Sequence, residues 1–247
     1  MADPNSIKIL NQKDETYELF KEYYHRELIH IVGPESYPIF EDFCQRNSSF
    51  IVKPDDSSQG NGVYREKLEG KTTQEVFESI IAHGKSVVEE IIQQDPRMAA
   101  FHPNSVNTVR IVTCNREGHI QIIQSSVRLG TGDSVVDNGC LSAGIDKETG
   151  IIISRGREAH KPGRYLRHPD TDVPILGNII PEWDKLLALV YELPLKLPEQ
   201  RVIGWDLALS DRGWLMIEAN ARPALQILEA DGVGVRDIVN ELEKEQV

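Results

Sequence analysis

Two apolar segments, RVIGWDLALS and WLMIEAN, are separated by only a few polar residues late in the chain. Their composition is typical of β-strands, and so short a connection indicates an antiparallel hairpin. Alternate residues of a strand point to the same face, so Glu218 and Asn220 lie side by side on the second strand. The hairpin therefore requires an antiparallel sheet and places a carboxylate and an amide together on one of its faces.

The length of the turn decides which residue of the first strand faces Glu218. A two-residue turn would place Asp206 opposite Ile217, whereas a three-residue turn that ends in Gly213 would place it opposite Glu218. We expect the three-residue turn, in which glycine takes the left-handed conformation. Facing carboxylates repel each other unless a cation lies between them, and Mg²⁺ prefers oxygen ligands. The hairpin thus predicts a magnesium site; a solvated face with ordinary acids is the alternative.

The composition indicates a globular protein of one large domain or two tightly joined lobes, with 247 residues, 40% of them hydrophobic. A net charge of −12 argues against a general nucleic-acid binder. No apolar run of about 18 residues predicts a membrane span, and the first residues do not resemble a signal peptide. We expect a cytoplasmic protein with three reduced cysteines, and we interpret residues 1–6 as a cloning remnant or a disordered start.

Helical and strand patterns alternate along the chain, which predicts a mixed fold of the α+β or α/β class. The helical and mixed pattern covers Lys13 to about Asn47. Further helices are predicted at Thr72–Gly84, at Ile180–Leu193 with a proline in the first turn, and at VRDIVNELEKE. Strands are predicted at Phe50–Pro54, at Ser86–Ile92, in NTVRIVTCN and HIQIIQSSVRLG, and in the two segments of the hairpin.

A lysine and a glycine-containing loop follow the first of these strands. Lys53 comes after three apolar residues, and the loop SSQGNGV contains Gly60 and Gly62. Such a loop can present backbone N–H groups to phosphates. It matches neither GxxxxGK[ST] nor GxGxxG, so for the loop alone a plain hairpin turn is the better explanation.

The strand VVEEII places Glu89 and Glu90 in apolar surroundings, where carboxylates are rare without a partner. Either these acids belong to a hinge that reaches adenine or ribose, or the strand lies at an edge with one acid in solvent.

In this order, Lys53, the glycine loop, the acidic strand and the oxygen ligands of the hairpin resemble the ATP-grasp superfamily. The segments FIVKP, NSVNTVRIVT, VDNGCLSAGID, HPDTDVPILGNIIPEW, VIGWDLAL and MIEANARP are most similar to the sugar-transfer-associated ATP-grasp family, and the resemblance covers nearly the whole chain. It implies an α+β ATP-grasp fold at residues 7–247, in which two lobes grip ATP. The small ATP-covering lobe would span about 48–92 and the larger metal-binding lobe about 100–247.

The resemblance also implies roles for individual residues. ATP would be bound by Lys13, Lys53, Ser57, Ser58, Gly60, Gly62, Glu89, Glu90 and Ile92. One or two Mg²⁺ ions would be held by Asp206, Glu218 and Asn220.

Four further residues are candidates for the reacting end of the site. Arg110, Arg128 and Asn138 are candidates for contacts to the γ-phosphate, although ion pairs with surface acids and an ordinary Asn-Gly turn explain them equally well. Arg222 would bind a substrate carboxylate or the transferred phosphate, or else cap local carbonyl groups. His168, in HPDT, is interpreted as a structural turn residue.

The resemblance implies an ADP-forming ligase that joins a carboxylate to an amine or similar nucleophile through an acyl phosphate. The family name suggests a place in polysaccharide or sugar-conjugate synthesis. The alternatives are a kinase that leaves a stable phosphorylated product and a non-catalytic nucleotide-binding module. No full N-terminal substrate domain of the ATP-grasp type is recognised in the sequence, so three alternatives are open for the acceptor site: a further part of a larger parent chain supplies it, a partner protein supplies it, or no such lobe exists.

Overall fold

The structure is a computed structural model that describes residues 3–55, 62–132, 140–158 and 163–223. The predicted loop residues Ser57, Ser58 and Gly60, the candidate Asn138 and the helix predicted at VRDIVNELEKE lie outside these ranges. The helices are α1 Pro4–Asn11, α2 Lys13–Phe20, α3 Tyr37–Arg46, α4 Thr73–Ala82, α5 Pro96–Ala99 and α6 Trp183–Glu192. The strands are β1 Leu28–Ile31, β2 Ser49–Pro54, β3 Tyr64–Lys67, β4 Ser86–Glu90, β5 Thr108–Arg116, β6 His119–Leu129, β7 Leu141–Gly144, β8 Gly156–Glu158, β9 Arg164–Tyr165, β10 Val202–Ser210 and β11 Gly213–Asn220.

The smaller sheet has four antiparallel strands in the order β1-β4-β2-β3. Aromatic side chains of α3 and α4 cover one face, and the rings of Phe40 and Phe50 meet edge to face at 5.6 Å. Helix α4 begins with a reciprocal capping box between Thr72 and Glu75, which confirms the predicted helix. Strand β1 was missed within the helical and mixed pattern, because LIHI is too short for its alternation to stand out; it also lies outside the range 48–92 predicted for the small lobe.

The larger sheet has seven antiparallel strands in the order β11-β10-β5-β6-β7-β8-β9. Its inner face packs into the main core, where Trp205 donates a hydrogen bond to Thr113 Oγ1 at 2.8 Å and meets the ring of Phe20 from α2. The strands predicted in NTVRIVTCN and HIQIIQSSVRLG and in the hairpin are confirmed. Along β5 and β6, Val109, Ile111 and Val127 belong to the main core, whereas Arg110 and Arg128 lie on the other face of the sheet.

Two predicted boundaries differ from the structure. Helix α1 begins at Pro4, within the range 1–6, and the Asp3 carboxylate caps it by accepting a hydrogen bond from Ser6 N at 2.7 Å. Helix α6 begins at Trp183, so Pro181 precedes it instead of lying in its first turn. The residue between them, Glu182, has a left-handed conformation (φ 56°) that breaks the helical path.

The connection between the two sheets runs against the β10–β11 hairpin. Asp211 N donates to Gln93 O at 3.0 Å, and Asp95 N donates to Leu209 O at 2.9 Å. These backbone bonds fix the segment after β4 to the large sheet. Among the described residues, no helix has the length and apolarity that a membrane span requires.

Candidate active site

The register of the hairpin places Asp206 directly opposite Glu218, as predicted, but for a different reason. Ser210 pairs with Gly213, so the predicted three-residue turn with Ser210 facing Trp214 is wrong. A β-bulge between Asp206 and Leu207 shifts the register by one residue and restores the facing pair. Gly213 does have the expected left-handed conformation, with φ 97°. The bulge therefore determines which carboxylates meet.

Two arginines from neighbouring strands surround the buried Asp206. Arg110 lies directly opposite Asp206 on β5, and its Nε and Nη2 donate to the two carboxylate oxygens. Arg128 on β6 places Nη1 3.6 Å from Asp206 Oδ2. Both predicted arginines thus lie beside the hairpin carboxylates, and both pair with Asp206.

Glu218 has a different electrostatic environment from Asp206. The side chain of Glu218 is exposed, yet burial of its carboxyl group among the surrounding side chains raises the pKa of that group, and the charge of Asp206 raises it further. The cations of Lys53, Arg110 and Lys13 act in the opposite direction. Charged residues from four separate segments therefore affect the pKa of the Glu218 carboxyl group.

The donor chemistry of the hairpin fits Mg²⁺. Asn220 Nδ2 is buried without a hydrogen-bond partner, and no hydrogen bond in the described part of the chain occupies Oδ1. Glu218 and Asn220 would hold the ion, with Asp206 as a third ligand once Arg110 releases one of its oxygens. Within the described ranges, no group of three His, Cys, Asp or Glu residues that could hold a metal occurs, so the amide is a necessary member of this set.

Lys53 and Glu89 form a buried ion pair on the face of the small sheet opposite its aromatic core. Ile51 faces Glu89 in the register, which makes Lys53 and Glu89 diagonal neighbours, and Lys53 Nζ lies 2.7 Å from Glu89 Oε1. Arg26 Nε donates to the other oxygen, Glu89 Oε2, at 2.9 Å. Burial would raise the pKa of Glu89, but the charges of Arg26 and Lys53 lower it to about 2. Glu89 is thus a fixed anion that positions Lys53.

Arg26 is a site residue that sequence analysis missed. Its Nη1 also donates to Met216 O on β11 at 2.7 Å, so one side chain connects Glu89 of the small sheet to the hairpin. Nothing in YYHREL distinguishes this arginine from a surface residue. The same applies to His30, whose Nε2 lies 2.7 Å from Asp55 Oδ2 at the end of β2. Both contacts arise from the folding of the missed region around β1.

Lys13 lies at the first position of α2, and its ammonium group lies near Lys53 and Glu218. Its Nζ donates to Pro54 O at 2.7 Å, next to Lys53. Burial lowers the pKa of Lys13, and Lys53 lowers it further, while Asp55 and Glu218 raise it. Two lysines that are 40 positions apart in the sequence therefore converge opposite the hairpin.

The remaining predicted nucleotide residues have less direct positions. Glu90 is engaged by Arg212 at 2.6 Å and by the backbone N–H of Glu27 at 3.0 Å, which fixes β4 to the hairpin turn. Ile92 is half-buried in the connection between the sheets, and Gly62 has a left-handed conformation just after the undescribed loop residues.

Two further candidates were weighed from the sequence. Arg222 is exposed just after β11, and among the described residues its side chain makes no hydrogen bond or ion pair. His168 is buried and bonds to Gly130 O through Nε2 at 2.7 Å, while its Nδ1 accepts from Asp170 N at 3.3 Å. These bonds support the structural interpretation of His168.

Comparison with solved structures shows the fold. The chain is similar to an ATP-grasp ligase, PsnB, in complex with a minimal precursor (TM-score 0.60, 13% identity, 99% of this chain and 64% of that one). It is also similar to phosphoribosylamine–glycine ligase from Thermotoga maritima (TM-score 0.60, 15% identity, 96% of this chain and 54% of that one). A third similar structure is D-alanyl-alanine synthetase A from Vibrio cholerae (TM-score 0.54, 13% identity, 94% of this chain and 63% of that one). The chain thus spans less than two thirds of each of these proteins. None of the curated proteins compared with it matches.

The sequence itself gives the family. The family described as sugar-transfer associated ATP-grasp matches residues 27–244, which include every strand of the two sheets. The structural similarities agree with this match, since they cover 94–99% of this chain and one of the three proteins is an ATP-grasp ligase. The chain has the ATP-grasp fold and belongs to the sugar-transfer associated ATP-grasp family.

Proposed function

We propose that this chain is the ATP- and Mg²⁺-dependent part of a ligase that activates a carboxylate as an acyl phosphate and transfers it to an amine or similar nucleophile. The observation that carries this proposal is the convergence of Lys13 and Lys53 on the Asp206–Glu218 pair. The two ammonium groups would bind the negative charges of a polyphosphate, and the two facing carboxylates would bind a divalent cation.

The small sheet is suited to hold the nucleotide. Lys53 is half-buried, and its ammonium is oriented by Glu89, which is itself fixed by Arg26. A lysine positioned in this way would meet a phosphate oxygen at little cost in side-chain entropy. Lys13 adds a second ammonium, and both would contact the phosphates of ATP.

The large sheet is suited to the reaction. Arg110 and Arg128 would neutralise the charge that develops on the transferred phosphoryl group, and Glu218, Asn220 and Asp206 would hold Mg²⁺, which supplies further charge neutralisation when bound. The substrate carboxylate attacks the γ-phosphorus and the bond to ADP breaks. The nucleophile then attacks the acyl carbon and phosphate leaves. This sequence requires positioned charges and no covalent attachment to the protein.

The family supports a ligase over a kinase, and its name supports a substrate in sugar-conjugate or polysaccharide synthesis. The proposal includes a cytoplasmic location, small-molecule substrates and a further domain or partner protein that contributes to the acceptor site. The net charge of −12 supports the exclusion of nucleic acid as a partner.

Trapping of the activated acid tests the proposal. With ATP, Mg²⁺ and a panel of carboxylic acids, hydroxylamine should give a hydroxamate together with equal amounts of ADP and phosphate. A carboxylate labelled with ¹⁸O should transfer one label to the released phosphate. A stable phosphorylated product without free phosphate would show a kinase, and AMP with pyrophosphate would reject both activities.

A further inference from the structure

Four arginines form a row across the face of the large sheet that carries the hairpin carboxylates. In the register, Thr108 faces Arg128, Arg128 faces Ser142, Ser142 faces Arg157, and Arg157 faces Arg164. Arg110 lies two residues from Thr108 on β5 and therefore points to the same face. We call Arg110, Arg128, Arg157 and Arg164 the arginine row. It runs from Asp206 to the β9 edge of the sheet.

The two halves of the arginine row differ in their partners. Arg110 and Arg128 lie beside Asp206, with side chains that are 15% and 19% exposed. Arg157 and Arg164 are exposed, and in the described part of the chain their guanidinium groups make no hydrogen bond and no ion pair. Nearby Arg167, in contrast, is paired with Asp172 at 2.8 Å. Two free guanidinium groups thus continue the line of the site.

The pairing of Arg157 with Arg164 is unfavourable by itself. Like charges directly opposite on an antiparallel ladder destabilise the pair, because their Cβ atoms lie only about 5 Å apart. An anion between them removes this repulsion, and guanidinium groups bind carboxylates through two parallel hydrogen bonds. The chain has a net charge of −12, so two arginines that face each other without an acidic partner among the described residues are a specific feature of this edge.

We propose that the carboxylate substrate is a diacid, with its reacting carboxylate beside Arg110 and Arg128 and its second carboxylate held by Arg157 and Arg164. This inference rests on the proposed ligase function. Ser142 lies between the two halves and has a short side chain, so the substrate can cross the sheet close to the backbone. Arg128 and Arg157, the inner members of the two pairs, are two strands apart, so carboxylates bound to the two pairs lie roughly 10 Å or more apart.

Binding of linear dicarboxylates, from adipate to dodecanedioate, tests the diacid subsite. Calorimetric titrations with ADP and Mg²⁺ present would use monocarboxylates of equal length as controls for apolar contact. The extended chain of sebacate spans roughly two strand spacings. We therefore expect sebacate, and diacids of similar chain length, to bind at least tenfold more tightly than the monocarboxylates of equal length. Shorter diacids should lose this advantage.

The double variant Arg157→Gln/Arg164→Gln should abolish the advantage of the diacids, whereas the matched variant Arg167→Gln should keep it. Arg157 and Arg164 are exposed and repel each other, so thermal unfolding of the double variant should occur at or above the temperature of the parent protein. Equal affinity for monoacids and diacids, or an advantage that persists in the double variant, would overturn the proposal. Hydroxamate formation is a separate measurement: a diacid preference without hydroxamate would reject the ligase function and leave a diacid-binding site.

Discussion

Replacement of Glu89 by glutamine tests the buried charge cluster that positions Lys53. Glu89 accepts from Arg26 at 2.9 Å and pairs with Lys53 at 2.7 Å, and its side chain is 8% exposed. The substitution keeps the shape of the side chain but leaves two cations without their shared anion. Removal of one partner from a buried ion pair typically costs about 3–5 kcal/mol.

The pKa of Glu89 gives an independent magnitude. Burial raises the pKa and the charges of Arg26 and Lys53 outweigh it, so the pKa falls from 4.5 to about 2. At about 1.4 kcal/mol per pKa unit, ionised Glu89 stabilises the fold by about 3 kcal/mol at neutral pH. Because the folded pKa is the lower one, this stability is complete above the unfolded pKa of 4.5 and is lost as the pH falls through 2. About 1 kcal/mol of it should remain at pH ~3.

Urea unfolding of the parent protein and of Glu89→Gln at neutral pH and near pH 3 measures this difference. We expect the free energies of unfolding to differ by about 3 kcal/mol at neutral pH and by about 1 kcal/mol in acid. The control Glu78→Gln, on the exposed face of α4, should change neither value. A difference that is independent of pH would refute the assignment of the stability to an ionised Glu89.

Three further predictions concern the site and its support. Lys53→Ala should weaken ATP binding about tenfold or more in calorimetry, whereas the exposed Lys67→Ala should not, since a charged phosphate contact contributes roughly 1.5–3 kcal/mol. Glu218→Gln should abolish Mg²⁺-dependent turnover while circular dichroism and thermal unfolding stay unchanged; retained turnover would remove Glu218 from the metal site. Gly130→Ala should destabilise the fold by about 1–3 kcal/mol in thermal unfolding, because its Cβ would lie 2.0 Å from Ser105 Oγ, and an unchanged midpoint would contradict this packing.

Local patterns sufficed for most individual elements. Helix α4 was predicted from Thr72 at its start and Gly84 at its end, because start and stop signals of a helix are properties of neighbouring residues. Strands β2, β5, β6, β10 and β11 were predicted from apolar and β-branched runs for the same reason. Strand β1 was missed, since its four residues are stabilised by pairing with distant β4 and carry little signal of their own.

The register of the hairpin could not be predicted from local patterns alone. The sequence predicted correctly that Asp206 faces Glu218, but the predicted turn was wrong. The observed pairing depends on a bulge, and no residue type in the hairpin indicates where that bulge lies. The position of a bulge follows from twist and packing of the whole sheet, so two errors of one residue cancelled in the prediction.

By itself, the sequence determined the α+β class, the order of most strands and helices, and the residue types of the candidate site: two lysines, the carboxylate and amide oxygens of the hairpin, and arginines on the middle strands. Only the tertiary structure decided which of these meet. It placed Arg26 between Glu89 and Met216, and it aligned Arg128, Arg157 and Arg164 through the successive registers of four strands. Contacts between residues far apart in the chain depend on strand pairing and on packing between the two sheets. The periodicity of a single segment predicts neither of these.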